Sequence, residues 1–259
     1  FVNSSLIIQR GDCFTPHATF ENGAWVPSVE RDVQLWPQEA LVRDEELILF
    51  TIRVMRDDSK PPGLNFSQHG GVIAIYDLDD LAVPRTMVFE VPHVRGNPFG
   101  WGALVDGEMA YLYAHEEPTG TFVARTPLAE LTNPDAWEFW VGTSWAPDVA
   151  SAVPIANDRL RVFATGEGYR AAAIRFMDQR LHLFSSESPA GPWTLDQVIS
   201  LDPIAPNTHA YAYEPLMLGM ADQQAVFAVN FLPVDPSETL SDVTLYGPRF
   251  MTVDLGVAG

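Results

Sequence analysis

One cysteine in 259 residues, Cys13, leaves no material for an intramolecular disulfide or a multi-cysteine zinc site. Basic residues are also scarce: 15 Lys and Arg stand against 34 Asp and Glu, a net charge of −19. Such a surface attracts neither phosphate backbones nor anionic lipid, so nucleic acid is excluded as a partner. No apolar run approaches the roughly 20 residues that span a bilayer, and no membrane insertion is expected. Helix signals are nearly missing as well. Only Pro127 to Trp137 offers a turn or two, cut short by Pro134. His17, His69, His93, His115 and His182 show no metal-ligand spacing, which speaks against a catalytic zinc. No cofactor is implied, and a structural calcium or sodium ion has no ligand pattern behind it.

What the chain does have is strand signal throughout. β-Branched and aromatic alternation is punctuated by 21 Pro and 18 Gly into many short segments. Seven Trp and 47% hydrophobic residues point to a folded chain with a large core. An internal repeat organises it. Glu39-Ala40-Leu41-Val42, Gly102-Ala103-Leu104-Val105, Ser151-Ala152-Val153-Pro154-Ile155 and Glu214-Pro215-Leu216-Met217 each lead through a polar turn into a second apolar strand. The units start at residues 39, 102, 151 and 214, hence 63, 49 and 63 residues apart, in the range of four-stranded propeller blades with loop insertions.

The predicted fold is therefore all-β, a five-bladed β-propeller occupying residues 1–259 as a single domain. Four blades are complete. Ser5 to Arg10 and His17 to Glu21 read as the outer half of a first, incomplete blade whose inner strands lie upstream or come from the C-terminus. A stacked β-solenoid is the rival, though its repeats should be shorter and more uniform.

In a propeller the first strand of each blade lines the central channel. The repeat then aligns Glu39, Gly102, Ser151 and Glu214 in one column, and Gln38, Trp101, Ala150 and Tyr213 in the column before it. Two carboxylates and two large aromatics converging on one funnel suit a sugar, because glycoside cleavage uses a pair of carboxyls and ring faces stack on aromatic side chains. Glu39 and Glu214 are the candidate catalytic residues. Trp36, Gln38, Asn97, Trp101, Asp148, His209 and Tyr213 are the candidate substrate-binding residues, with Tyr211 flanking them. Each has a competing structural role. The two Glu could bond backbone amides, Asp148 could end the turn after Trp145-Ala146-Pro147, and His209 could be an ordinary hydrogen-bonded loop residue. Asn3-Ser4-Ser5 and Asn65-Phe66-Ser67 fit glycosylation sequons.

Ser185-Ser186-Glu187-Ser188-Pro189-Ala190-Gly191-Pro192-Trp193 is similar to an outer-blade turn common in five-bladed propeller glycosidases acting on arabinans and fructans. A further set runs the length of the chain: Phe1-Val2-Asn3-Ser4-Ser5-Leu6, Trp36-Pro37-Gln38-Glu39, Trp101-Gly102-Ala103, Val123-Ala124-Arg125, Ala136-Trp137-Glu138-Phe139-Trp140 and Leu245-Tyr246-Gly247-Pro248-Arg249-Phe250. Together these resemble the domain-of-unknown-function group related to the D-arabinan-cleaving endo-enzymes of glycoside hydrolase family 183. The resemblance implies a secreted or cell-surface protein that hydrolyses a furanose-rich, arabinan-type polysaccharide. It also marks two departures. The relatives' principal acids lie upstream of the segment at which this chain begins, and they tend to show Gly-Asp where this chain has Gln38-Glu39. A non-catalytic carbohydrate-binding propeller is the alternative reading, and a protein-interaction propeller a third.

Overall fold

A computed structural model describes residues 6–10, 13–17, 19–21, 24–26, 33–60, 66–81, 84–88, 90–175, 177–205, 210–235, 238, 242–245 and 247–256. The chain is all-β, with short 3-10 turns and antiparallel pairing between successive strands. Contacts divide it into two compact units, Phe1–Glu116 with Val123–Ala152, and Glu117–Phe122 with Val153–Gly259.

The first unit opens with two short hairpins, β1 (Leu6–Arg10) with β2 (Cys13–His17) and β3 (Thr19–Glu21) with β4 (Ala24–Val26). A four-stranded sheet follows, from β5 (Val33–Arg43), β6 (Glu46–Arg56), β7 (Phe66–Asp77) and β8 (Thr86–Val88). Its leading hairpin turns at Asp44-Glu45, where Asp44 takes φ 50, a left-handed conformation that short polar side chains tolerate. Continuous buried runs, Ile48 to Thr51 on β6 and Val72 to Tyr76 on β7, place the sheet's core at its centre, covered on both faces.

After the two-residue strands β9 (His93–Val94) and β10 (Asn97–Pro98) comes a five-stranded sheet. Its strands are β11 (Gly102–Asp106), β12 (Met109–Glu116), β13 (Gly120–Pro127), β14 (Glu138–Trp140) and β15 (Trp145–Ala146). The predicted turn or two of helix is two 3-10 turns, Leu128–Glu130 and Pro134–Ala136, between β13 and β14. Asn133 caps the second by accepting from Asp135 N. Trp137, fully buried, closes the segment by donating from its indole to Leu131 O at 3.2 Å. Phe99 packs on Phe139 at 5.4 Å and on Trp137 at 6.4 Å.

The second unit holds two sheets. One is β16 (Arg161–Thr165), β17 (Gly168–Ile174), β18 (Arg180–Ser186) and β19 (Thr194–Ser200). The other is β20 (Ala210–Ala221), β21 (Gln224–Pro233) and β22 (Gly247–Asp254). Phe163, Leu181, Leu183, Phe227, Val229 and Phe231 form one buried cluster, with the Phe163 and Phe227 rings 5.9 Å apart. Each such side chain contributes roughly 1.5–3 kcal/mol by burial.

Among the described residues four blade-type meanders are thus present where the repeat predicts five. Among the described residues the N-terminal strands pair with their sequence neighbours as two separate hairpins. The C-terminal strand β22 is used as the third strand of the last sheet. The third predicted hairpin also differs. Ser151 ends a 3-10 turn, Val149–Ser151, and Pro154 has no N–H to give a ladder. Ile155 N donates to Thr121 O at 2.7 Å, and Thr121 N donates to Ala156 O at 2.9 Å, an isolated bridge in place of a strand. The first strand of that blade is β16, starting at Arg161.

Candidate functional site

In the first unit three candidate residues, Trp36, Gln38 and Glu39, lie in the middle of β5, not at its start. The register slips between Pro37 and Glu39, so Gln38 is a bulge residue without a ladder partner. Its side-chain amide donates back to Trp36 O at 3.2 Å and Pro37 O at 3.0 Å, which fixes the bulge. Glu39 Oε1 accepts from the Ala40 amide at 3.0 Å, orienting a half-buried carboxyl. The Trp36 ring lies 4.7 Å from that of Phe66 at 59°.

Trp101 sits at the entry to β11 and is 9% exposed, a packing position more than an open stacking surface. Its backbone amide and that of Gly100 both donate to Tyr113 O, at 2.9 and 3.0 Å. Gly100 is needed there: it takes φ 110, and a Cβ would stand 2.6 Å from the Phe50 ring. Asn97 is half-buried on the short strand β10. Asp148 is a capping residue, accepting from Ala150 N at 2.9 Å through its carboxylate while its carbonyl accepts from Ser151 Oγ at 2.7 Å. His209 lies outside the described residues.

In the second unit Glu214 occupies a bulge on β20, between Tyr213 opposite Asn230 and Pro215 opposite Val229. It takes φ 53, in the left-handed region that a Glu rarely enters. An ion-pair network explains why it is held there. Arg161 Nη2 donates to Glu214 Oε2 at 2.8 Å, and Arg159 Nη2 lies 3.2 Å from Oε1. The Arg161 side chain is 8% exposed, that of Glu214 19% and that of Arg159 43%. Burial lowers the Arg159 pKa from its ordinary value, Glu214 opposes the shift, and the neighbouring Arg161 charge adds to it. Tyr213 and Tyr211, two residues apart on β20, set their rings 6.1 Å apart.

The structure therefore brings Trp36, Gln38 and Glu39 to one bulge and Tyr211, Tyr213 and Glu214 to another. The two bulges are offset by one residue relative to the repeat alignment, since Gln38 and Glu214 are the equivalent bulged positions. Arg159 and Arg161 were not legible as site residues. The available signal was a pair of cations two apart at the start of the apolar run Leu160 to Ala164, where a buried charge requires a partner. Among the described residues, no three His, Cys, Asp or Glu side chains cluster as metal ligands.

No curated protein matches this chain in sequence. Among solved structures, a Bacteroides ovatus protein provisionally described as a hydrolase matches with TM-score 0.66 and 16% identity, over 85% of this chain and 61% of that one. This chain thus spans less than two thirds of that protein's length. The GH43 subfamily 1 enzyme of Xanthomonas citri, complexed with xylotriose, matches with TM-score 0.50 and 17% identity, over 88% of this chain and 70% of that one. At 16% and 17% identity these likenesses show a shared β-propeller fold alone. The family model described as Domain of unknown function (DUF5005) matches residues 1–253, and the chain belongs to that family.

Proposed function

We propose that this chain is a glycan-acting propeller of glycoside hydrolase type that cleaves a furanose-rich, arabinan-type polysaccharide. The observation that carries the reading is the fold shared with the hydrolase-described protein at TM-score 0.66, reinforced by the xylotriose-bound enzyme at 0.50. Glycoside cleavage asks one carboxyl to donate a proton to the leaving oxygen and a second to act as nucleophile or base. Glu39 supplies one of these: the Ala40 amide fixes one of its oxygens, and Trp36, three residues earlier on β5, offers a ring for a sugar face. Glu214 is an anchor in this reading, because each of its oxygens is engaged by a guanidinium. Glycans reach the protein in a secreted or cell-surface setting.

Reducing-end release from linear arabinan by the purified chain tests the proposal. Glu39→Gln lowers turnover at least about 100-fold if that carboxyl acts as acid or base. Near-normal turnover in Glu39→Gln removes it from the mechanism. The paired state of Glu214 favours a second reading, a propeller that binds glycan without cutting it. Retention on arabinan or xylan with no reducing-end release would establish that reading, and the absence of both would overturn the two together.

A further inference from the structure

The outer strands of the five-stranded sheet carry a cluster that the proposed site does not use. Trp140 and Trp145 are direct partners across β14 and β15, with rings 5.2 Å apart at 64°. The Tyr111 ring lies 6.0 Å from that of Trp145. Arg125 places its guanidinium 4.6 Å over the Trp145 ring, and Glu138 holds that guanidinium with contacts of 2.9 Å to Nε and 2.8 Å to Nη2. Strand alternation explains the gathering. Arg125 faces Glu138 in register, Glu138 and Trp140 are two residues apart, and Trp140 faces Trp145, so these four share one side of the sheet. Phe139, between them in sequence, turns to the other side and is buried. The five grouped side chains are only partly buried.

An open cleft of about 560 Å³ adjoins them, lined by Met109, Arg125, Asp135, Glu138 and Pro147 among others. Arg125 and Glu138 belong to both cleft and aromatic cluster. The Asp135 carboxylate is exposed and has no hydrogen-bond or ion-pair partner among the described residues.

We propose that this face is a second glycan-binding surface, which takes a stretch of neutral polysaccharide apart from the Glu39 and Glu214 bulges. A sugar ring has an apolar C–H face and a rim of hydroxyls. Indole and phenol rings stack on the first, while Asp135 and Glu138 accept from the second and Arg125 donates to it. Charge selects the class. Two carboxylates and one guanidinium line the site in a chain of net charge −19, so a polyanionic glycan is repelled. The surface rests on the reading that the chain handles a polysaccharide, but it requires no catalysis. Its effect is to raise the concentration of polymer at the protein, as a second binding contact does on any multivalent ligand.

Affinity electrophoresis of the whole chain tests this, in gels containing linear arabinan, xylan or polygalacturonate. The wild-type protein is retarded by at least one neutral polymer, and Trp140→Ala weakens the apparent affinity about tenfold, the equivalent of one lost contact of 1.4 kcal/mol. Asp135→Ala removes an exposed carboxylate with no partner, leaves the packing intact, and weakens affinity about threefold; it carries the test if Trp140→Ala fails to fold. Retention of both variants like wild type, retardation by polygalacturonate alone, or no retardation of wild type each overturns the surface. Loss of retention in the variants of a chain that releases no reducing ends upholds the surface while the hydrolase reading fails. Cleavage with unchanged retention in both variants does the reverse.

Discussion

Replacing Arg161 with Met is the sharpest perturbation of the Glu214 network. Arg161 is 8% exposed and reaches Glu214 Oε2 at 2.8 Å, while the second cation, Arg159, keeps 43% of its side chain in solvent. Removing one member of a buried pair leaves the other charge uncompensated, at a cost of about 3–5 kcal/mol. Glu214 retains 19% exposure and the contact with Arg159, which places the expected loss near the lower end, about 3 kcal/mol. Arg159→Met breaks a longer contact, 3.2 Å, to a cation that is less buried than Arg161, and should cost about 1 kcal/mol or less. For a chain of this size, about 2–4 °C per kcal/mol makes that a fall in Tm of roughly 6–12 °C against roughly 4 °C at most. Urea and thermal melts followed by tryptophan fluorescence measure both. The double variant Arg161→Met with Glu214→Gln should be no less stable than the worse single variant, a coupling of about 2–3 kcal/mol. A loss under about 0.5 kcal/mol for Arg161→Met, or strict additivity in the double variant, would refute the view that this pair holds the bulge.

Two further outcomes follow from the same structure. The Glu46 carboxyl is held below its usual 4.5 by hydrogen bonds from Arg43 and Arg85. A depressed folded-state pKa gives stability that is complete above about 4.5 and is lost as pH falls through the folded value, so wild type should lose more stability than Glu46→Gln on acidification. Parallel acid titrations with identical slopes would contradict the assignment. Gly120→Ala and Gly107→Ala separate steric from backbone strain. A Cβ at Gly120 would stand 2.0 Å from Ala156 O at φ 121, whereas Gly107 has φ 58 and open space around it. The second change should cost about 1–2 kcal/mol, and the first should prevent accumulation of soluble protein; equal urea midpoints would dismiss the bridge at Ala156 as a constraint.

Three of the four leading hairpins stand where the repeat places them, because the information for each is local. Apolar alternation across Glu39 to Phe50 and Gly102 to Tyr113, with polar turns at Asp44-Glu45 and Asp106-Gly107, specifies a hairpin without help from the rest of the chain. The pairing of β20 with β21 is specified in the same way. Ser151 to Ile155 carries similar apolar letters and fails, since Asp148 caps a turn and the following amides bond to Thr121, about 35 residues earlier. A long-range partner of that kind leaves no periodic trace. The fifth blade fails for a different reason: strand-forming residues at the N-terminus reveal that strands form but not their partners, and there each strand pairs with its neighbour in sequence.

The candidate site shows a finer limit of the same sort. Aligning Glu39 with Glu214 rests on matching the apolar residues that follow each, and a bulge shifts side chains without changing those letters. Because the bulged residue is Gln38 on β5 and Glu214 on β20, the two glutamates hold different places in their strands. Glu39 is back in the ladder opposite Phe50, with its carboxyl tied to the next amide. Glu214 is outside the ladder at φ 53, where two arginines can reach both of its oxygens. The difference in chemistry assigned to two identical side chains follows from one extra residue in the strand.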